Sequence, residues 1–270
     1  MRRYSIFHPL VLSFFSKSLY RDVGKHWRGT GLLYLLLVLA LVWIPTIIKG
    51  HLAMERWIDG DSKEITKQIP AITISNGQVS TDVTPPHFIK DPKTGADIAI
   101  IDTTGQYETL ENTDAKFLLT KSKLIVSRSL GRTETYDLSS VQSFYVDRSR
   151  VESWLLTVRQ LFVPVVYPLA LIFSFIFRAI QILVYALIGL LFARILNANL
   201  DFKTLMRLAA ISITPVLMLN LLFEFVPVHI PWWTLLGILI ALAYLFFAVK
   251  VNAKPEDVPQ YQPPVAYPTP

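Results

Sequence analysis

The stretch QLFVPVVYPLALIFSFIFRAIQILVYALIGLLFA, residues 160–193, is long and apolar enough to set the architecture. It runs for 34 residues with a single charge, Arg178. A membrane-spanning helix needs only about 20 predominantly apolar residues. As one straight helix the stretch would measure ~51 Å, more than a hydrocarbon core of ~30 Å. As two spans it would leave ~17 residues for each and almost no loop. The basic residues around it choose between these readings. Arg194, Lys203 and Arg207 mark the following loop as cytoplasmic. Arg2, Arg3, Lys17, Arg21, Lys25 and Arg28, against the single acid Asp22, mark the N-terminus likewise. An odd number of crossings must then separate the region before residue 160 from the loop after it, so the stretch crosses once. Its excess length is assigned to an interfacial lead-in over residues 154–164, a kink at Pro164 or Pro168, and tilt.

Residues 31–48 form another uncharged run, closed by Trp43 and Lys49 as interface anchors. Residues 208–223 and 232–249 supply two more spans. The expected architecture is an α-helical membrane bundle of about four spans with an inserted extracytoplasmic α+β domain. Its segments are a basic amphipathic cytoplasmic stretch at 1–30, a first transmembrane helix at 31–49 and the inserted domain at 50–153. A three-span bundle at 154–250 and a Pro-rich, disordered cytoplasmic tail at 251–270 complete it. In the first segment Ile6, Leu10, Phe14, Leu19 and Val23 recur at helical steps, which predicts a helix lying in the membrane interface.

Composition agrees with a membrane protein. Charged residues make up 17% of the 270 and mean hydropathy is +0.43, where an ordinary soluble domain carries roughly 25% charge. The absence of cysteine excludes disulfides, thiolate chemistry and Cys-based zinc sites. The pI of 9.4 is explained by basic residues flanking spans, which orient the chain and attract anionic lipid. No nucleic-acid partner is expected.

Residues 51–153 differ from the rest, with 12 Lys/Arg against 15 Asp/Glu. The pattern predicts a helix over 52–68 broken at Asp59-Gly60-Asp61 and ended by Pro70. A hairpin follows over 71–75 and 78–82, turning at Asn76-Gly77, a pair that favours the type I′ turn. Further strands are expected at 97–102, 117–120, 124–128 and 133–137, with a short helix over 138–144, all built on an antiparallel sheet.

Few residues carry a chemical signature. Asp102-Thr103-Thr104-Gly105 follows a strand, as aspartic-protease motifs do. Those enzymes pair two carboxylates that share a proton. Here an extra Thr intervenes and no second copy exists, so Asp102 and Gly105 read as a structural turn. On that reading Asp102→Asn should cost ~1 kcal/mol or less. The histidines His8, His26, His51, His87 and His229 are scattered without ligand spacing, so neither a metal nor a cofactor is expected. Arg178 is the intramembrane anomaly, since such residues face a bundle interior or water and are candidates for function. Gln181 shares its face at i+3. Glu224, near the outer end of its span, is a candidate partner, and Pro215 with Asn220 could open a polar notch.

Several segments carry a resemblance. They are Ser16-Lys17-Ser18-Leu19-Tyr20-Arg21-Asp22, residues 71–80 (AITISNGQVS), Ile100-Ile101-Asp102-Thr103-Thr104-Gly105, residues 118–126 (LLTKSKLIV), and the run from Arg207 to Pro215. Over about residues 10–250 the chain resembles an uncharacterised bacterial multi-pass membrane family, a domain of unknown function. That family is sometimes labelled maltodextrin-utilisation membrane protein and is distantly Yip-like. The resemblance implies a bacterial inner-membrane protein with an extracytoplasmic insert, and it carries over no catalytic residue.

The expected function is therefore non-enzymatic. The extracytoplasmic domain binds a partner or ligand, and the bundle anchors or transmits. The partners expected are membrane lipids and another membrane or extracytoplasmic protein. The alternative is a subunit of a transporter or lipid-handling system built on the Arg178 region, which with four helices would require an oligomer or a second subunit. The topology is testable because the chain has no cysteine. Ser127→Cys should be blocked in intact cells by a thiol reagent that cannot cross the membrane. Blocking by permeant reagents alone would reverse the topology.

Overall fold

The computed structural model describes residues 2–128, 132–226 and 230–253. His229 and all but the first three residues of the expected Pro-rich tail lie outside these. The described chain falls into two compact units, one within Met1–Thr46 and Tyr167–Pro270, the other Ile47–Val166.

Among the described residues, four helical stretches are long and apolar enough to cross a membrane: Leu32–Thr66, Arg148–Ile195, Phe202–Phe223 and Trp233–Ala253. The first comprises α3 (Leu32–Asp59) and α4 (Asp61–Thr66), interrupted at Gly60 as the Asp-Gly-Asp signal predicts. The stretch at residues 160–193 lies inside one unbroken helix, α5 (Arg148–Ile195), of 48 residues. At 1.5 Å per residue it is ~72 Å long. Pro164 and Pro168 are accommodated within it.

In the helical unit, α1 (Pro9–Leu12) and α2 (Lys17–His26) precede α3. Ser16 caps α2, its Oγ accepting from the Leu19 amide at 3.2 Å. The amphipathic pattern is real, and α2 buries its apolar face against other helices of this unit. Leu19, Tyr20 and Val23 are fully buried, and α2 packs on α6 (Phe202–Ser212) and α8 (Trp233–Ala253). Burying those side chains against helices gives each a fixed set of dispersion contacts that fluid lipid cannot match. Tyr20 seals the contact by donating to the Ser13 carbonyl at 2.7 Å and meeting Phe247 edge-on at 5.5 Å.

The most enclosed span is α6 with α7 (Thr214–Phe223): 72% of its most apolar stretch is buried, against 17% for α5. Pro215 lacks the N–H that would continue the ladder, so the helix breaks at Ile213. In an apolar surrounding every buried polar group needs a partner, side-chain hydroxyls included. Ser212 and Thr214 turn their hydroxyls back to the carbonyls of Leu208 (2.8 Å) and Ala210 (3.3 Å), and Tyr34 of α3 meets Thr214 at 2.7 Å.

The other unit holds two sheets. One has the order β2-β1-β8, from β1 (Ile72–Ser75), β2 (Gln78–Thr81) and β8 (Ser143–Val146). The second runs β3-β4-β5-β6-β7, from β3 (His87–Lys90), β4 (Asp97–Ile101), β5 (Phe117–Leu119), β6 (Lys123–Ser127) and β7 (Thr133–Asp137). Two expectations are corrected here. The sheet is not wholly antiparallel, because β4 and β5 pair in parallel. A parallel pair needs a crossover of a dozen or more residues, which 102–116 provides. Residues 138–144 form no helix. Leu138, Val141 and Phe144 fall at three-residue steps, but pairing with β1 draws residues 143–146 into a strand. The crossover lays Leu110 and Ala115 over Ile100, Leu118 and Ile125 on one face of the larger sheet. Ile101 on the other face joins Ile72, Ile74, Val79 and Ile89 in a second core.

The Asn76-Gly77 hairpin is the expected type I′ turn, with φ +49° and +77°. Its amides donate to the carbonyls of Gln142 and Val141, both at 2.9 Å. A Cβ on Gly77 would lie 2.7 Å from the Ser139 Cα, whereas one on Gly95, also at positive φ, would meet nothing within 4 Å. Gly95→Ala therefore tests the φ penalty alone, roughly 1 kcal/mol, and Gly77→Ala adds a backbone collision. Gly77→Ala should lower the thermal midpoint of the purified protein clearly more than Gly95→Ala.

Candidate functional site

Arg178, Gln181 and Tyr185 lie at i, i+3 and i+7 of α5 and form a chain. Arg178 Nη1 donates to Gln181 Oε1 at 2.5 Å, and Gln181 Nε2 donates to the Tyr185 hydroxyl at 2.9 Å. The guanidinium carbon also lies 5.7 Å from the Phe177 ring centroid. Arg178 and Gln181 open onto a cleft of about 180 Å3, with Asn220 of α7 and Trp233, Thr234 and Gly237 of α8 on its other walls. Asn220 Oδ1 accepts from Trp233 Nε1 at 2.5 Å. The expected pairing of Arg178 with Gln181 and the polar notch at Asn220 thus share one place.

Glu224 stands elsewhere. Its carboxylate accepts from Thr46 Oγ1 at 2.7 and 2.8 Å, and Arg178 turns to Gln181 instead. Among the described residues no group of three His, Cys, Asp or Glu side chains is placed to hold a metal ion.

Arg207, read from sequence as a loop charge, is buried in α6. Its Nη1 donates to the Gly29 carbonyl at 2.8 Å and its Nη2 to Thr204 Oγ1 at 2.7 Å, with longer contacts to the carbonyls of Gly24 (3.3 Å) and Val23 (3.4 Å). Thr204 in turn donates to Asp201. The spacing Asp201, Thr204, Arg207 was the available signal, since one helix face carries all three.

Asp102 ends β4 and is fully buried. Oδ1 accepts from the Thr104 amide at 2.9 Å and from its hydroxyl at 2.6 Å, while Oδ2 accepts from the Tyr107 amide at 2.6 Å. Gly105 at φ +89° lets the chain turn between them. Burial alone would raise the carboxyl pKa. The donors from Thr104, Tyr107 and Gln106 outweigh it and hold the group below the ordinary Asp value. The carboxylate is thus an acceptor hub that starts the crossover.

This geometry revises the mild cost expected for Asp102→Asn. Both oxygens face donors only, so an amide nitrogen in place of either would meet an N–H or O–H head-on. The substitution should cost about 1–3 kcal/mol. Because the folded pKa is depressed, the Asp102 contribution is complete above the unfolded value of ~3.9 and is lost as pH falls below it. Thermal midpoints between pH 6 and 3 should therefore fall more steeply for the wild type than for Asp102→Asn.

No solved structure matches the chain. An uncharacterized protein, RP489, of Rickettsia prowazekii (strain Madrid E) is 27% identical over an alignment spanning 46% of this chain and 46% of that protein. This chain therefore spans under half the length of that relative. A family model described as "Protein of unknown function (DUF1189)" matches residues 7–249. On that match, which takes in both the apolar helices and the β-sheets, the chain belongs to the DUF1189 family of proteins of unknown function.

Proposed function

We propose that this chain is a non-enzymatic protein of a bacterial inner membrane, with both termini cytoplasmic. Its four-span bundle anchors an extracytoplasmic domain at residues 50–153, and that domain binds a protein partner. One observation carries the reading. Strand β7 lies at the edge of the five-stranded sheet, and all five of its residues are exposed. An edge strand presents unpaired backbone donors and acceptors that an extended segment of another protein can complete. The register adds an aromatic surface. Phe117 of β5 and Tyr136 of β7 fall on the same face and are 44% and 46% exposed, and aromatic side chains are enriched at interfaces. Arg128 pairs with Glu134 at 2.9 Å, and the Tyr136 hydroxyl donates to the same carboxylate at 2.6 Å. That network holds the aromatic ring in place beside the edge.

The alternative, a subunit of a transporter or lipid-handling system, draws on the Arg178 cleft. At about 180 Å3 that cleft is smaller than the ~300–1,000 Å3 usual for ligand sites. The edge strand is therefore the stronger candidate. A photoreactive residue at Tyr136 should give a discrete protein adduct in cells, and one at the exposed loop residue Glu108 should not. Equal labelling from both positions, or none from Tyr136, would reject the edge as the binding surface.

A further inference from the structure

Two hollows in the helical unit meet at the N-terminal arm. One is an open cleft of about 990 Å3 whose walls include Arg2, Arg3, Lys17, Arg21, Lys25 and His26. The other is a groove of about 770 Å3 lined by Phe14, Leu219, Ile240, Ala243, Tyr244 and Phe247. Phe15 and Lys17 line both. A strongly basic hollow therefore adjoins an apolar one, which is the chemistry of a molecule with an anionic head and a hydrocarbon chain. We propose that the pair forms one binding site for an anionic phospholipid, its phosphate held in the basic cleft and an acyl chain laid along the apolar groove.

The cleft is built rather than incidental. Asp22 is its one acid, and its carboxylate is buried and already engaged. It accepts from the amides of Arg3 (3.0 Å) and Tyr4 (3.3 Å) and from Trp27 Nε1 (3.1 Å), and it lies 3.1 Å from His26 Nδ1. Those bonds fold the arm back over α2 and bring Arg2 and Arg3 beside Lys17 and Arg21. Arg2 is further held 3.9 Å above the Trp27 ring. Among the described residues, none of Arg2, Arg3, Lys17 and Arg21 forms an ion pair with a carboxylate. Among the described residues these four cations stand together with no carboxylate paired to them, beside the capped N-terminus of a ten-residue helix whose dipole adds to the field.

The groove is equally defined. Tyr244 donates to the Phe14 carbonyl at 3.1 Å, tying the arm to α8 and fixing one wall. Leu219 on α7 and Ile240 on α8 carry the lining away from Lys17 and along the bundle. A single cation bordering such a groove would suit any lipid. A cluster of four cations selects for net negative charge, because a zwitterionic head brings its own ammonium into the cleft.

The site rests on reading the bundle as membrane-embedded, and the test separates the two claims. The protein is reconstituted into phosphatidylcholine vesicles with and without phosphatidylglycerol, and retained lipids are identified after detergent extraction by native mass spectrometry. Retention of phosphatidylglycerol over phosphatidylcholine is expected. Lys17→Gln with Arg21→Gln should lower that preference by about fivefold per charge removed. Lys116→Gln with Lys121→Gln, in the other unit, should leave it unchanged. Ala243→Phe fills the groove at an exposed position and should weaken phosphatidylglycerol retention with the cations intact. Equal retention of the two lipids would overturn the proposal while the membrane reading stands. So would displacement of phosphatidylglycerol by inorganic phosphate together with insensitivity to Ala243→Phe, which would make the cleft a site for free phosphate. Failure to enter vesicles of either composition would overturn both.

Discussion

Arg207 must satisfy its guanidinium inside the helical unit, and much of that unit follows from how it does so. A cation removed from water is tolerated only where acceptors surround it. The acceptors here are carbonyls that α2 leaves unmatched. A helix ends with four C=O groups lacking intrahelical partners, and α2 ends at His26, so Val23 and Gly24 are among them. Arg207 reaches both, and then Gly29 in the connection to α3. One side chain on α6 thus closes the end of α2 and sets the course of the chain into α3. Gly31, at φ +84°, passes so near that a Cβ there would lie 3.1 Å from the Arg207 Cα. Asn252 of α8, whose side chain lies against Gly24, donates to the Tyr20 carbonyl at 3.0 Å. The basic arm, the turn into the first span and the last helix are held by polar bonds to α2.

What the sequence revealed follows the range of the interactions involved. Local signals survived folding. The Asn76-Gly77 turn and the interruption at Asp59-Gly60-Asp61 depend on neighbours within a few positions. The apolar runs survived as well, because a stretch of that length has few other solutions. The identity of distant partners was hidden. Whether β5 runs parallel or antiparallel to β4 depends on how the crossover packs, and no residue of either strand encodes it. Strand β8 exists because β1 offers an edge, against a local spacing that imitates a helix.

The polar sites divide in the same way. Gln181 was legible as a partner of Arg178 because helical geometry places i+3 alongside. Glu224 was proposed from its charge and its place near the outer end of a span, and neither fixes a contact between distant segments. Thr46, its observed partner, lies 178 residues away. Arg207 illustrates the limit best. Counted by sign, it belongs with Arg194 and Lys203 as a topology signal. Placed by its hydrogen bonds, it is a structural centre that a census of loop charges cannot distinguish from its neighbours. Asp102 was read as a turn residue from its local motif, and the number of donors converging on it was not visible.

The contrast between α5 and the α6–α7 span bears on how such a chain can change over time. Along α5, Phe173, Ile176, Phe177, Ile180, Leu187 and Leu191 all lie more than half exposed. In a hydrocarbon surrounding, side chains of that kind need only be oily, and one shape serves as well as another. In α6, Leu205, Leu208, Ala209, Ala210 and Ile211 are almost wholly enclosed, where even one added or removed methylene is felt. Two spans of similar hydropathy therefore impose opposite demands on descent. The first can drift freely through the apolar alphabet, and the second can vary only where a neighbour changes with it.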